Sequence, residues 1–272
     1  MKSCSNKFEN MKLNEYFIKR QLQKTAGFEE EYWGKVEDPD GYIRNMGNER
    51  EHKRELAREE IKFINTLDAG KILDIGCGTG AILEGIDETW EKHGVEVSKY
   101  AASKASDYGN IFLGEVHNAK YPKNNFDVIL LFHVIEHLIS PIEVMMEVHR
   151  ILKEGGVLII GTPDFDSGCA RRYEDNFRLL HDQTHISLFS NESLHRLLLD
   201  YGFSIIRTEF YFFESKYFTK ENILRLFNTE DVSPPFYGNI LTKYCKKLNE
   251  EDAYNRTSIL KENLDSLFKK KL

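Results

Sequence analysis

From Lys71 to Phe213 the chain alternates between short apolar runs and stretches whose apolar residues recur at helical spacing. "KILDIG" (71–76), "HGVEVS" (93–98), "NIFLG" (110–114), "FDVILLFHV" (126–134) and "GGVLIIGTP" (155–163) read as strands. "AILEGID", "KYAASKAS" and "PIEVMMEVHRILK" (141–153) read as the helices between them. In the last, Ile142, Met145, Met146, Val148 and Leu152 supply the apolar side. The 126–134 run is apolar enough to be covered on both faces. Such alternation predicts a doubly wound, mostly parallel α/β sheet, and these sheets bind ligands beyond the carboxyl ends of their strands.

The flanks read differently. "NEREHKRELAREEIKFINTL" (48–67) predicts a helix with Leu56, Ile61, Ile64 and Leu67 on its apolar side, preceded by a Pro-Asp-Gly turn. Residues 1–67 are therefore read as an N-terminal helical cap or lid. Residues 162–190 are long and irregular. "NESLHRLLLDYGF" is a helix that Ser190 or Asn191 caps and Gly202 stops, and "FSIIRTEFYFF" is a further strand. Residues 216–272 read as a mostly helical C-terminal extension with a Pro234-Pro235 break.

Composition narrows the function. Lys+Arg 37 against Asp+Glu 44 gives a net charge of −7, which argues against broad nucleic-acid binding. Cys4, Cys77, Cys169 and Cys245 are scattered with no CxxC, so neither a disulfide framework nor a zinc cluster is expected. The N-terminus lacks an apolar signal-peptide core, and no run approaches the roughly 20 residues that span a bilayer. A soluble cytoplasmic protein is the expectation.

The strongest local signal is "LDIGCGTG" (73–80): a strand end, three alternating glycines and a helix start. Glycine lets a ligand approach the backbone, and a helix start adds free N–H donors. Alone, this loop specifies only a nucleotide-like cofactor. Gly76, Gly78 and Ala81 also satisfy a relaxed dinucleotide fingerprint, with Glu96 twenty residues on as the ribose acid. An NAD-dependent oxidoreductase thus stays open at this point. Asp74 inside the strand end and Gly80, which makes the pattern G-x-G-x-G, lean the other way.

Four segments together resemble one family. "ILDIGCGTG", "GVEVS", "FDVILLFHVIEHLISP" and "RILKEGGVLIIGTP" are similar, in order and spacing, to successive motifs of the class I S-adenosylmethionine-dependent methyltransferases. "VIEHL" with "LKEGGVLIIGTP", and later "THISLFSNESLHRLLLDYGF", most resemble the group containing ubiquinone-biosynthesis O-methyltransferases and many sugar and natural-product methyltransferases. The resemblance covers about residues 70–210. It implies a Rossmann-like, seven-stranded fold whose last strand is antiparallel; the pattern after "FSIIRTEF" does not place that strand. It also implies S-adenosyl-L-methionine as cofactor, S-adenosyl-L-homocysteine as product, and a small-molecule acceptor. A hydroxyl oxygen of a sugar, sugar-containing metabolite or natural product is favoured over nitrogen or carbon. The corresponding division is a cap at 1–67, a methyltransferase core at 68–215 with an acceptor-facing insert at 163–190, and the extension at 216–272.

The same resemblance distributes roles. Gly76, Cys77 and Gly78 would approach the methionine part of the cofactor by backbone, with Asp74 near its ammonium group. Glu96 would accept both ribose hydroxyls, and Val97 would line the adenine. Glu115-Val116 stands where the family often has Asp-Ala; Glu keeps the acceptor on a longer arm. Phe132 and His133 would end the fourth strand beside the cofactor.

Methyl transfer to a hydroxyl also calls for a base, and histidine suits that near neutral pH. Glu136-His137 is one candidate, or else a pair that ties the strand-to-helix connection. "HDQTH" supplies the others, His181 and His185. The pairs His133/His137 and His181/His185 are spaced i, i+4, which aligns ligands only on a helix; neither stretch reads as helical, so no metal is expected. The aromatic stretches "EFYFFESKYF" and "PPFYG" are either an acceptor pocket or packing. A homodimer through the tail, and a non-catalytic cofactor-binding module, remain open.

Overall fold

Seven strands make one sheet. They are β1 (Lys71–Ile75), β2 (Glu91–Glu96), β3 (Asn110–Leu113), β4 (Phe126–Phe132), β5 (Leu152–Pro163), β6 (Phe203–Tyr211) and β7 (Ile240–Lys247). Their spatial order is β6-β7-β5-β4-β1-β2-β3. The β1–β2, β2–β3, β1–β4 and β4–β5 pairs are parallel, whereas β7 runs antiparallel to both β5 and β6. The computed structural model describes residues 11–13, 17–20, 35–37, 43–45, 50–182, 184–211 and 240–249.

Helices cover both faces, as the β4 run requires. Ile129 and Leu131 point into one core with Met145, Val148, Leu158, Ile160 and Leu197. Val128 and Leu130 point into the other with Ile64, Ile72, Leu83, Ile159 and Tyr244. Each such aliphatic side chain contributes roughly 1.5–3 kcal/mol on full burial. The first core packs on α5 (Pro141–Ile151) and α8 (Asn191–Asp200), the second on α2 (Arg58–Asn65) and α3 (Ala81–Gly85). Helix α4 (Lys99–Ala105) joins β2 to β3 and is capped by Ser98. Ser190 caps α8 in a reciprocal capping box with Ser193.

Three expectations need correction. The extension at 216–272 is not helical where it is described: Ile240–Lys247 is β7, inserted between β5 and β6. Its three lysines disguise it. Lys243 is buried, and its Nζ donates to Asn191 Oδ1 (2.6 Å) and Thr208 Oγ1 (3.1 Å). Lys247 donates to Asn124 Oδ1 (3.0 Å) and the Leu152 carbonyl (2.7 Å). Residues 240–247 are thus internal to the sheet. Second, the 48–67 helix is two helices, α1 (Arg50–Leu56) and α2, broken at Ala57. Third, the cap is not purely helical. Met11–Leu13, Ile18–Arg20 and Ser187–Leu188 form a small antiparallel sheet, and Lys35–Glu37 pairs with Ile43–Asn45. The Pro-Asp-Gly turn, the "PPFYG" stretch and most of "EFYFFESKYF" lie outside the described residues.

Between β5 and α8 the chain forms α6 (Gly168–Tyr173) and α7 (Arg178–His181). Among the described residues no helix is long and apolar enough to cross a membrane.

Candidate active site

The glycine loop leaves β1 through three left-handed residues: Gly76 (φ 72°), Gly78 (φ 54°) and Gly80 (φ 79°). A Cβ on Gly76 would lie 2.5 Å from Val134 Cγ2, so the position is closed to side chains both by φ and by space. The Gly76 and Cys77 amides both donate to the Val95 carbonyl, at 2.8 and 3.2 Å, which ties the loop to β2. The Glu96 carboxylate completes the tie. It accepts from the Gly78 amide at 2.9 Å and the Ser98 amide at 2.8 Å.

Asp74 is buried near the end of β1, and among the described residues its Oδ2 has no hydrogen-bond partner. Burial first, and the charge of Glu96 second, push its carboxyl up to about 8; Lys53 of α1 opposes them. An orphaned buried carboxyl oxygen beside a glycine loop fits a ligand's ammonium group, as the resemblance implies for the cofactor.

A cavity of about 660 Å³ opens from here over the carboxyl ends of the strands. All ten cofactor-side candidates line it. Asp74, Gly76, Cys77 and Gly78 come from β1 and its loop, Glu96 and Val97 from the end of β2. Glu115 and Val116 follow β3; Phe132 and His133 end β4. Helix α1 adds His52, Lys53 and Leu56, which sequence reasoning missed because the cap has no motif of its own.

The far side of the cavity is built from side chains. His133 holds a left-handed backbone (φ 57°), and its amide donates to the Gly161 carbonyl at 2.9 Å. Its Nδ1 meets Glu136 Oε1 at 3.2 Å. Glu136 is fully buried, and its Oε2 accepts from Thr162 Oγ1 at 2.9 Å. His137 Nδ1 meets the Thr184 carbonyl at 3.0 Å; His185 Nδ1 meets the Leu179 carbonyl at 2.8 Å. The His137 and His185 rings lie 4.9 Å apart. The two histidine candidates from separate segments are therefore one cluster. His181 ends α7, and its side chain lies outside the described residues. Thr162 was missed; its only signal is a lone hydroxyl closing the apolar run "VLIIGTP".

Electrostatics separates the members. Burial alone would raise the Glu136 carboxyl, but the His133 hydrogen bond and the charges of His137, His133 and His185 bring it down to about 2. Asp182 behaves alike: burial opposes, while His185 and the Thr184 hydroxyl and amide hold it low. Burial and the neighbouring His137 push His185 down to about 4, so it is neutral at pH 7. Glu136, His137 and His185 also place ligand-type atoms within 4.8 Å of one another, a set the i, i+4 spacing had not suggested. Within that set the Glu136 oxygens meet His133 and Thr162, while the Nδ1 atoms of His137 and His185 meet backbone carbonyls.

An open sheet with a glycine-loop cavity at its carboxyl edge defines a Rossmann-like cofactor enzyme. The antiparallel β7 between β5 and β6 departs from the 3-2-1-4-5-6 order of dinucleotide-binding folds, which sets the NAD reading aside. With Glu96 and the glycine loop in place, the class is that of the S-adenosylmethionine-dependent methyltransferases.

Comparison with known proteins agrees. The family described as "Methyltransferase domain" matches residues 49–208, and the chain belongs to that family. An uncharacterized methyltransferase of Schizosaccharomyces pombe is 29% identical over 147 residues, 47% of this chain and 52% of the relative. The chain thus spans about half the length of that relative. A ubiquinone biosynthesis O-methyltransferase of Pelagibacter ubique is 28% identical over 161 residues, 53% of this chain and 64% of the relative. Among solved structures, a SAM-dependent methyltransferase from Archaeoglobus fulgidus superposes with a TM-score of 0.56 at 22% identity, covering 73% of this chain and 94% of that one. A "possible histamine N-methyltransferase" from Thermotoga maritima does so at 0.53 and 25% identity, covering 74% and 96%.

Proposed function

We propose that the protein transfers a methyl group from S-adenosylmethionine to a hydroxyl oxygen of a polar small molecule, with a sugar, sugar-containing metabolite or natural product as the favoured acceptor class. One observation carries this reading: the glycine loop with Glu96 and the Glu136–His137–His185 network border the same cavity. The bound donor supplies an activated methyl group on a positively charged sulfur. The protein's task is then to hold, align and exclude water.

In this reading Glu96 accepts the ribose hydroxyls with its carboxylate already fixed by two backbone amides. Asp74 faces the ammonium group, and the Gly76–Gly78 backbone lies along the methionine part. Val97, Glu115 and Val116 surround the adenine, and Phe132 closes the floor toward the acceptor. His137 and His185, each oriented through Nδ1 by a backbone carbonyl, contact the acceptor. The similarity to ubiquinone-biosynthesis O-methyltransferases supports oxygen as the nucleophile. The likeness to the Thermotoga maritima protein supports an amine as the second reading, since an amine needs no base once it is delivered unprotonated.

Calorimetry tests the donor: S-adenosylhomocysteine binds with a micromolar Kd and NAD gives no heat. The reverse result removes the reading. Turnover with a labelled methyl donor against catechols, methyl glycosides and amines then separates oxygen from nitrogen. Binding without turnover on any of them favours a non-catalytic module.

A further inference from the structure

We infer that His133 is the general base of the reaction, oriented by Glu136, which Thr162 braces from β5. The inference rests on the methyl-transfer reading above. It selects a residue that the resemblance assigned to the cofactor side and passes over the histidines first named as candidate bases.

The backbone comes first. His133 is a non-glycine residue at φ 57°, directly after the end of β4, and it lines the cavity. Left-handed backbone at a histidine is uncommon and clusters at functional sites. Here it is held by the 2.9 Å hydrogen bond from its own amide to the Gly161 carbonyl. The Phe132 ring, edge-on at 4.7 Å between centroids, fixes the imidazole from the other side.

The ring comes second. A carboxylate can only accept, so the Nδ1 that faces Glu136 Oε1 carries the proton. The basic lone pair is then on Nε2. Glu136 cannot swing away, because Thr162 Oγ1 holds its other oxygen at 2.9 Å and the residue is fully buried. Hydroxyl, carboxylate and imidazole thus form a line of three, with a base oriented by an ionised group behind it. That arrangement both selects the tautomer and stabilises the imidazolium that proton transfer creates.

The competitors are placed differently. His185 is buried and held down to about 4, too weak a base at neutral pH. His137 Nδ1 meets a neutral carbonyl, and its Nε2 stands 3.9 Å from Glu136 Oε1, beyond hydrogen-bond length. Among the described residues the other titratable groups around His133 are Glu60, fully buried on α2, and His137 and His185 across Glu136. Burial pushes the Glu60 carboxyl up, whereas its neighbours hold that of Glu136 down to about 2.

The step balances simply. The acceptor oxygen forms a bond to the methyl carbon as the sulfur–carbon bond breaks, and that electron pair stays on sulfur. The acceptor's proton passes to His133 Nε2 and from there to solvent. Positive charge moves from sulfonium to imidazolium, beside the Glu136 carboxylate.

The test has two arms on the full chain with S-adenosylhomocysteine or the methyl donor. Imidazole ¹⁵N NMR of the S-adenosylhomocysteine complex should show His133 protonated at Nδ1, and Glu136→Gln should abolish that tautomer preference. In turnover with a catechol or methyl glycoside, His133→Ala should lower kcat about 10²- to 10⁴-fold, while the donor KM moves no more than about threefold. Glu136→Gln and, less so, Thr162→Val should lower kcat while the donor KM moves no more than about threefold, and the Nδ1 tautomer preference should weaken in the same order. A bracing role that is merely structural would lower Tm and leave the tautomer in place. His133 protonated at Nε2, a His133→Ala enzyme within threefold of wild type, or turnover lost in EDTA and restored by Mg²⁺ each overturns the inference. If no hydroxyl probe is methylated, the methyl-transfer reading suffers, and the tautomer still decides the base.

Discussion

The two ends of the cavity are made by different means. The proposed cofactor end is mostly backbone: three left-handed glycines, two amides on the Val95 carbonyl, and two amides on Glu96, all within residues 73–98. The proposed acceptor end is mostly side chain. His133, Glu136, His137, Thr162 and His185 come from three separated stretches and meet only after the sheet has formed. A backbone-built site tolerates little change in shape. A side-chain network tolerates change in shape but not in charge or hydrogen-bonding capacity.

The largest effect should follow from breaking the backbone half. Gly76→Ala meets both a left-handed φ, which costs roughly 1–2 kcal/mol for a residue with a Cβ, and a Cβ position 2.5 Å from Val134 Cγ2. Calorimetry should show S-adenosylhomocysteine binding lost, with a Tm several degrees lower. Unchanged binding would mean that the loop adapts and the contrast between the two ends is false. Glu96→Ala comes next. It removes a charged acceptor from the Gly78 and Ser98 amides and, in the proposed reading, from the ribose hydroxyls, and hydrogen bonds to charged groups are worth about 1.5–3 kcal/mol each. A roughly 100-fold rise in the S-adenosylhomocysteine Kd is expected.

Smaller, and opposite in character, is the effect of Glu136→Gln on stability against pH. The Glu136 carboxyl is lower in the folded protein than its ordinary 4.5, at about 2. The folded state therefore binds fewer protons between those values. Its stabilisation is complete above about pH 4.5 and is lost as pH falls toward 2. Denaturant titrations of wild type should show that acid slope. Glu136→Gln should flatten it while leaving S-adenosylhomocysteine affinity within a few-fold. A variant with an unchanged acid slope would place the ionised charge elsewhere in the network.

The same contrast explains what could be read from the sequence. The strands β1 to β6, the glycine loop and Glu96 were legible because each is a local pattern: an apolar run, a glycine spacing, an acid at a strand end. β7 was not, because Lys243 and Lys247 interrupt its apolar positions and reveal themselves as buried only through partners such as Asn191 and Leu152, far away in sequence. Apart from Thr162, the side-chain network was named residue by residue but not as a unit. Glu136 to Thr162 spans 26 residues and His137 to Thr184 spans 47, distances no spacing rule covers. Thr162 shows the limit most plainly: a hydroxyl in an apolar run has no meaning until the carboxylate it faces is known.

Asp74 sits in the proposed cofactor half and in that reading would act by charge, so it offers the finest test of the contrast. Its carboxyl is raised from 3.8 to about 8, chiefly by burial. The folded protein then binds more protons than the unfolded chain between those values, and stability falls as pH rises through that window. Asp74→Asn should remove the slope and stabilise the ligand-free protein at pH 8 by about 1 kcal/mol. Binding should respond in the other direction. A ligand ammonium beside the carboxyl favours its ionised form, so S-adenosylhomocysteine binding at pH 7 should release a proton, visible as a dependence of the calorimetric heat on buffer ionisation enthalpy. Asp74→Asn should abolish that dependence and weaken binding only several-fold, since the glycine loop and Glu96 remain. Equal proton release in wild type and variant would remove Asp74 from the ammonium site and leave the cofactor end without a group that works by charge at that position.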